Sequence, residues 1–277
     1  MRILFLISFF IFYFSTLTAT LFAQKFSTPL EPQSPPKQTE LGLLFGLGNN
    51  FQTGIYQPYC DECQFEDGNK LGFSAGLVFL RDFNKTFQWG ASLTYNSRST
   101  RSSYIVNEMV QILIDPKDPN KYEERPIPFR NIGEIDVGEL SLQPFFQWSP
   151  VQFAFIRLGF GASIITNANF LHTKELLKFK DTLTTGEIVD ITIDGDDPNQ
   201  KVVEDREMPG INTFQMSLEP AIGFNFEISP QIYLSPLFQY SIPLTKLSNI
   251  QKDFNINKWR ITIELRFAIK IREFKRI

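Results

Sequence analysis

Three groups of residues have types and spacing that could do chemistry. Cys60-Asp61-Glu62-Cys63 can exchange electrons, supply half of a metal site or close a local disulfide. The chain holds only these two cysteines and one histidine, His172, more than 100 residues further on, so a four-ligand zinc site finds little support. In a chain with an export signal, such a pair is expected to form a structural bridge at a loop tip. His172 could act as a general base for a serine nucleophile, with Ser102, Ser103 or Asp181 as candidate partners. No spacing singles those partners out, and the expected role is a surface histidine without catalytic duty. Asp190, Asp194, Asp196 and Asp197 surround Gly195 and Pro198 and offer the hard oxygens that calcium accepts, without the spacing of an EF-hand loop. The alternating flanks Glu187–Ile193 and Lys201–Val203 suggest instead a solvated hairpin with an acidic turn. Neither a metal nor a cofactor is expected.

The elements that would position these groups show a period of two. In Trp259–Ile271, the residues Trp259, Ile261, Ile263, Leu265, Phe267, Ile269 and Ile271 share one face; Arg260, Thr262, Glu264, Arg266, Ala268 and Lys270 share the other. At about 3.3 Å per residue this ribbon rises roughly 40 Å, enough to cross a bilayer core of about 30 Å when tilted. Seven further segments alternate in the same way: Leu41–Leu47, Leu71–Phe79, Phe87–Tyr95, Glu139–Trp148, Ile156–Ile164, Phe214–Ile228 and Ile232–Ile242. Short connections (Arg81–Thr86, Ser149-Pro150, Ser229-Pro230) alternate with long ones (Asn49–Lys70, Asn96–Asp136, Thr166–Thr213, Pro243–Lys258). Within the second long connection, Tyr104–Ile114 suggests another projecting hairpin. Short turns on one side and long loops on the other predict an eight-stranded antiparallel up-and-down transmembrane β-barrel spanning residues 41–272. Both ends of the chain then fall on the short-turn side.

Tyr95, Trp89, Trp148, Tyr240 and Trp259 lie on the apolar face near segment ends, as the aromatic girdles of the two membrane interfaces would. On the opposite face, glycines leave room for Arg157, Glu219, Glu227, Arg260, Glu264 and Arg266. An eight-stranded lumen is wide enough only for side chains to fill it, so these six are expected to form a neutralising polar core rather than a channel. The pattern has faults. Val78, Leu80, Tyr233 and Leu237 point inward, and Pro144, Pro220 and Pro236 each remove a ladder hydrogen bond.

Residues 1–23 read as a cleaved export signal, with Arg2 ahead of an apolar run from Ile3 to Phe14 that is too short to span a bilayer. Residues 24–40, with Pro29, Pro32, Pro35 and Pro36, read as a periplasmic linker; residues 273–277 are a short tail. The formal net charge of −3 becomes −4 once Arg2 is removed, and such a near-balance argues against a nucleic-acid partner. Twenty-nine phenylalanines are a heavy apolar load for an exported chain.

The repeated Leu-x-Pro of Leu142-Gln143-Pro144, Leu218-Glu219-Pro220 and Leu234-Ser235-Pro236, with Leu71–Leu77 and Arg157–Ala162, resembles the PorT-like outer-membrane β-barrel family of Bacteroidetes-type bacteria. The resemblance covers roughly Leu41 to Ile271. It implies an integral outer-membrane barrel, some relatives of which are tied to protein secretion. The chain departs from the usual pattern by running past its last strand rather than ending on an aromatic residue. The expected function is non-enzymatic: an outer-membrane component in contact with lipid, whose long extracellular loops serve interaction, adhesion or secretion and assembly, with the oligomeric state open. Three other readings stand beside it. A soluble lipocalin-like barrel would turn the apolar faces inward around a ligand, a lipid-modifying enzyme would depend on His172, and a small pore would need an open lumen.

Overall fold

The computed structural model describes residues 38–57, 63–113, 122–151, 153–193, 197–229, 231–251 and 253–269. The chain divides into the units Met1–Pro36 and Lys37–Ile277. The first unit, and with it the signal and most of the linker, lies outside the described residues, as do Cys60, Asp194, Gly195, Asp196 and the tail.

The second unit is all β. Its strands in chain order are β1 (Thr39–Thr53), β2 (Asn69–Asp82), β3 (Phe87–Ser97), β4 (Thr100–Leu113), β5 (Tyr122–Val151), β6 (Ala154–Leu176), β7 (Lys180–Thr182), β8 (Ile188–Asp190), β9 (Gln200–Glu207), β10 (Phe214–Phe224), β11 (Phe226–Ser229), β12 (Ile232–Pro243) and β13 (Asn255–Ile269). Eight of them pair antiparallel in a ring: β1, β2, β3, β5, β6, β10, β12, β13 and back to β1. Over the described residues, seven of the eight alternating segments lie wholly in ring strands, and β1 begins two residues earlier than expected, taking Thr39 and Glu40 out of the linker. The segment Phe214–Ile228 is interrupted at Asn225, and its second part, β11, pairs with β12 alone.

The long connections are more ordered than their composition suggests. β5 runs for 30 residues and β6 for 23. Beyond the ring they continue upward together, flanked by β4 on one side and β9 on the other. The expected pairing of Glu187–Ile193 with Lys201–Val203 is not formed. β8 pairs with β7, whereas β9 pairs with β6; β6 carries a free edge of seven residues past the ring, a longer template than a local hairpin offers.

None of the three strand prolines forces a bulge. Each faces outward, where a ladder skips instead. The β10–β12 pairing omits Glu219 and Pro220, the β5–β6 pairing omits Gln143 and Pro144, and the β10–β12 pairing ends at Leu237, next to Pro236. A missing N–H on the outward pleat therefore costs one or two bonds without shifting the alternation.

Candidate functional site

The side chains facing into the ring form a buried polar core. Arg157 on β6 reaches across it: its Nη1 donates to Glu264 Oε1 at 2.5 Å and its Nη2 to Glu264 Oε2 at 3.0 Å and Gln147 Oε1 at 2.8 Å. Its guanidinium also lies 4.0 Å from the centre of the Phe145 ring. Glu264 is shared with Arg266, 3.6 Å away, and Arg266 pairs with Glu40 at 2.9 Å. Glu219 accepts from Ser217 at 2.8 Å and from Gln239. Arg260 is held by neutral oxygens, donating to Asn50 Oδ1 at 2.6 Å, the Ser97 carbonyl at 2.8 Å and Ser74 Oγ at 3.2 Å. Its guanidinium passes where a side chain on residue 72 would begin, 2.6 Å from the Cβ position, so only glycine fits there.

Arg157, Glu219, Arg260, Glu264 and Arg266 are buried inside the ring, and Glu227 is not. It sits on β11, beyond the break at Asn225, and is exposed. Four further charged residues join this core. Glu40 precedes the first alternating segment, Arg98 and Lys258 lie in the long connections Asn96–Asp136 and Pro243–Lys258, and Glu139 opens the fourth segment. Glu139 accepts from Arg98 at 2.8 Å and from Lys258, all three buried. Lys258 stands in phase with Arg260 and Glu264, so extending the alternation by one step would have found it.

Apolar groups seal this core at both ends. Toward the short turns, Leu44, Val78, Leu80 and Phe145 form one buried cluster, and Phe155, Ala221 and Leu237 another. The inward apolar residues noted as faults are therefore a plug; Tyr233 lies at the rim, with its hydroxyl 3.2 Å from Gln38 Nε2. Toward the loops, Tyr56, Phe65, Phe170 and Phe254 pack with Ile135, Ile256 and Leu247 as a lid. Tyr56 and Phe65 exchange both backbone hydrogen bonds at 3.0 Å. Phe65 lies flat on Gly133, 2.7 Å from where a Cβ would stand. Between plug and lid is a polar cavity of about 20 Å³, room for a water molecule.

His172 belongs to this lid, contrary to its expected surface position. It is buried on β6, its Nε2 lies 2.9 Å from Asn131 Oδ1, and it meets Phe65 edge-on at 5.2 Å. Ser102 pairs with Gly133, which pairs with His172, so two strand spacings (roughly 10 Å) separate the serine from the histidine. Phe65 fills the gap. Asp181 is bound to Lys178 at 2.7 Å on the outer hairpin. The candidate base, nucleophile and acid do not converge. Cys63 is not a free thiol and packs against the lid. Among the described residues, no three His, Cys, Asp or Glu side chains converge as metal ligands would.

Burial holds the His172 pKa below its ordinary value, helped by nearby Lys174, and the same burial raises that of Tyr56. The neutral imidazole is the form that fits, so the unfolded chain binds more protons than the folded one below the ordinary histidine pKa of 6.5. Stability of the lid is therefore full above that pH and declines as pH falls through it. Amide exchange in β5 and β6 beyond the ring, corrected for its chemical pH dependence, is expected to accelerate between pH 7.5 and pH 5.5 in the native chain. In His172→Gln the acceleration is expected to vanish.

The outer face carries the most informative pattern. Along β5, the inward residues Ile127, Phe129, Ile135 and Val137 are apolar and buried, then Glu139, Ser141, Gln143 and Gln147 are polar and buried. Its outward residues invert at the same level, from Glu124, Arg130, Glu134 and Asp136 to exposed Leu140, Leu142, Phe146 and Trp148. β13 does the same: Phe254 and Ile256 precede inward Lys258 and Arg260, while Asn255 and Asn257 precede outward Trp259, Ile261 and Ile263. Tyr240 pairs with Trp259, and Tyr95 with Leu140, at the level of inversion. Trp89 and Trp148 stand at the other margin, where Trp148 stacks on Phe87 with ring centres 6.5 Å apart.

No protein-family model matches the chain, and no curated protein does. Among solved structures, the chain is similar to the attachment invasion locus protein Ail of Yersinia pestis, which was also solved with the heparin analogue sucrose octasulfate. That match has 13% identity and a TM-score of 0.34, covering 83% of this chain and 99% of Ail. Neisserial surface protein A matches at 9% identity and a TM-score of 0.37, over 83% and 97% of the two chains. The outer membrane protease OmpT of Escherichia coli matches at 9% and 0.28, over 87% and 100%. At these scores the likenesses carry no argument about location or activity.

Proposed function

We infer that the protein is an integral outer-membrane β-barrel of non-enzymatic character, with a filled lumen and a projecting loop-side sheet that serves interaction or adhesion. The inversion of polarity along β5 and β13 carries this reading. In the ring, more than two dozen large apolar side chains are exposed while charges of both signs are buried. Their exposed area is on the order of 2,000 Å², against the few hundred Å² of apolar patch on ordinary soluble monomers. At about 25 cal/mol per Å², leaving it in water forgoes on the order of 50 kcal/mol, several times the net stability of a domain. Lipid removes that penalty. Above the inversion the same strands are apolar within and polar without, as water requires.

A lipocalin-like barrel needs the opposite orientation in the ring. The apolar plug and lid at the two ends of the ring likewise speak against a pore, and reconstituted protein is expected to give no conductance steps above bare bilayer. The PorT-like assignment rests on the sequence motifs, and a secretion role on that assignment.

The test is tryptophan emission of the refolded chain in vesicles with brominated acyl chains. Trp89, Trp148 and Trp259 are the only tryptophans, and all three lie on the exposed face of the ring. Strong quenching, with the depth profile of the interfaces, is expected. Emission unaffected by bromine, from protein that stays monomeric in buffer without detergent, would sink the reading.

A further inference from the structure

Above the ring, the sheet β4-β5-β6-β9 has two edges, because β4 pairs only with β5 and β9 only with β6 among the described residues. The edges differ. β9 carries Lys201, Glu204, Asp205, Arg206 and Glu207 in eight residues, the dense charge that discourages strand addition. From Tyr104 to Ile112, β4 carries one charge, Glu108, and exposes Ile105 and Met109 at 61% and 62% on its outward face.

This edge is complementary to itself. Antiparallel pairing of two β4 strands about a two-fold axis at Asn107 puts Ile105 opposite Met109, Tyr104 opposite Val110, Ser103 opposite Gln111 and Val106 opposite Glu108. The two exposed apolar residues meet in two symmetry-related pairs, the two Asn107 residues face each other, and no like charges are opposed. Centring the axis on Glu108 would oppose two carboxylates. Centring it on Val106 would put Ile105 against Asn107.

We propose that β4 is a homotypic docking edge, its occupant the β4 strand of a second copy anchored in an apposed membrane. This inference rests on the outer-membrane reading above. The sheet continues the ring wall, so its normal lies in the membrane plane. A two-fold along that normal reverses the membrane direction, and the two barrels point toward each other. Asn107 stands ten residues past Ser97, where β3 leaves the ring. That is about 33 Å along a tilted strand, so the apposed bilayers would stand roughly 50 Å apart. Each interface forms an eight-stranded sheet through backbone bonds, the mode of strand addition.

Two populations of vesicles with different dyes, both carrying the refolded full-length chain, test this by flotation and by two-colour coincidence. Native vesicles are expected to tether. Ile105→Glu and Met109→Lys are each expected to lower coincidence about tenfold when present on both populations, because the two-fold repeats every lost contact. Mixing Ile105→Glu vesicles with Met109→Lys vesicles is expected to restore it, since Glu then faces Lys in one pair while Ile and Met persist in the other. Oxidation of Asn107→Cys is expected to cross-link between populations, and Val202→Cys on β9 is not. Protein that co-floats with lipid but fails to tether, or tethers without rescue in the mixed pair, overturns the homotypic edge and leaves the membrane reading standing. Protein that does not co-float overturns both.

Discussion

Glu264→Gln is expected to lower the unfolding free energy in lipid vesicles by about 3–5 kcal/mol, the range found when one member of a buried ion pair is removed. Among the described residues Glu264 is the only carboxylate bridging Arg157 and Arg266, and Gln147, the other partner of Arg157, is neutral. A glutamine keeps the shape but leaves Arg157 as a buried cation with amide partners alone. The loss is not a matter of packing, and a second variant separates the two. Arg157→Met with Glu264→Leu removes both charges, and methionine keeps contact with the Phe145 and Phe155 rings over which the guanidinium lies. Arg266 retains Glu40. The double variant is therefore expected to lose clearly less than the single one, because two desolvated charges have gone together. Denaturant titration of vesicle-inserted protein, with both arms of the transition shown to coincide, measures the difference. Equal loss in the single and double variants would mean that shape, not charge, holds the lumen.

The ring was legible because its physics is local. A strand with an exposed apolar face on one side and a filled polar core on the other must alternate at every residue, and Trp259–Ile269 does so without a break. The extension was harder to read. Above the ring, β5 keeps its phase but exchanges the chemistry of its two faces, so Glu134 and Asp136 outside and Ile135 and Val137 inside blur into a stretch that looks like loop. In β6 the phase itself changes. An extra residue near Thr166, where Glu139 pairs with Ile165 and Gly138 with Asn167, moves the inward positions from odd to even numbers. That single bulge turns Phe170 and His172 into the lid, and no periodicity count across it could have placed His172 inside. Partners brought together across the lumen were equally hidden. Lys258 and Glu139 are 119 residues apart, and each looks like an isolated charge at a segment end.

Ile263→Arg gives the sharpest separation between lipid and water. Ile263 is half exposed, pairs with Phe45 and Pro236, and lies midway along the apolar run of β13 between Trp259 and Ile269. In water, an arginine at a half-exposed strand position changes stability by no more than about 0.5 kcal/mol. Facing the middle of a bilayer, it costs about 2–4 kcal/mol, falling to about 0–1 kcal/mol near an interface. The expected result in vesicles is therefore a large loss for Ile263→Arg and a small one for Ile269→Arg, at the margin of the same face. The depth dependence decides the matter. A disturbance of the Phe45 and Pro236 contacts would persist in any solvent, whereas a bilayer penalty shrinks when the same variants are measured in short-chain lipid, where the long cation reaches water more easily. Both variants behaving alike, with losses under about 0.5 kcal/mol, would place water against these leucines, isoleucines and phenylalanines, and the buried arginines and glutamates of the ring would then need another cause.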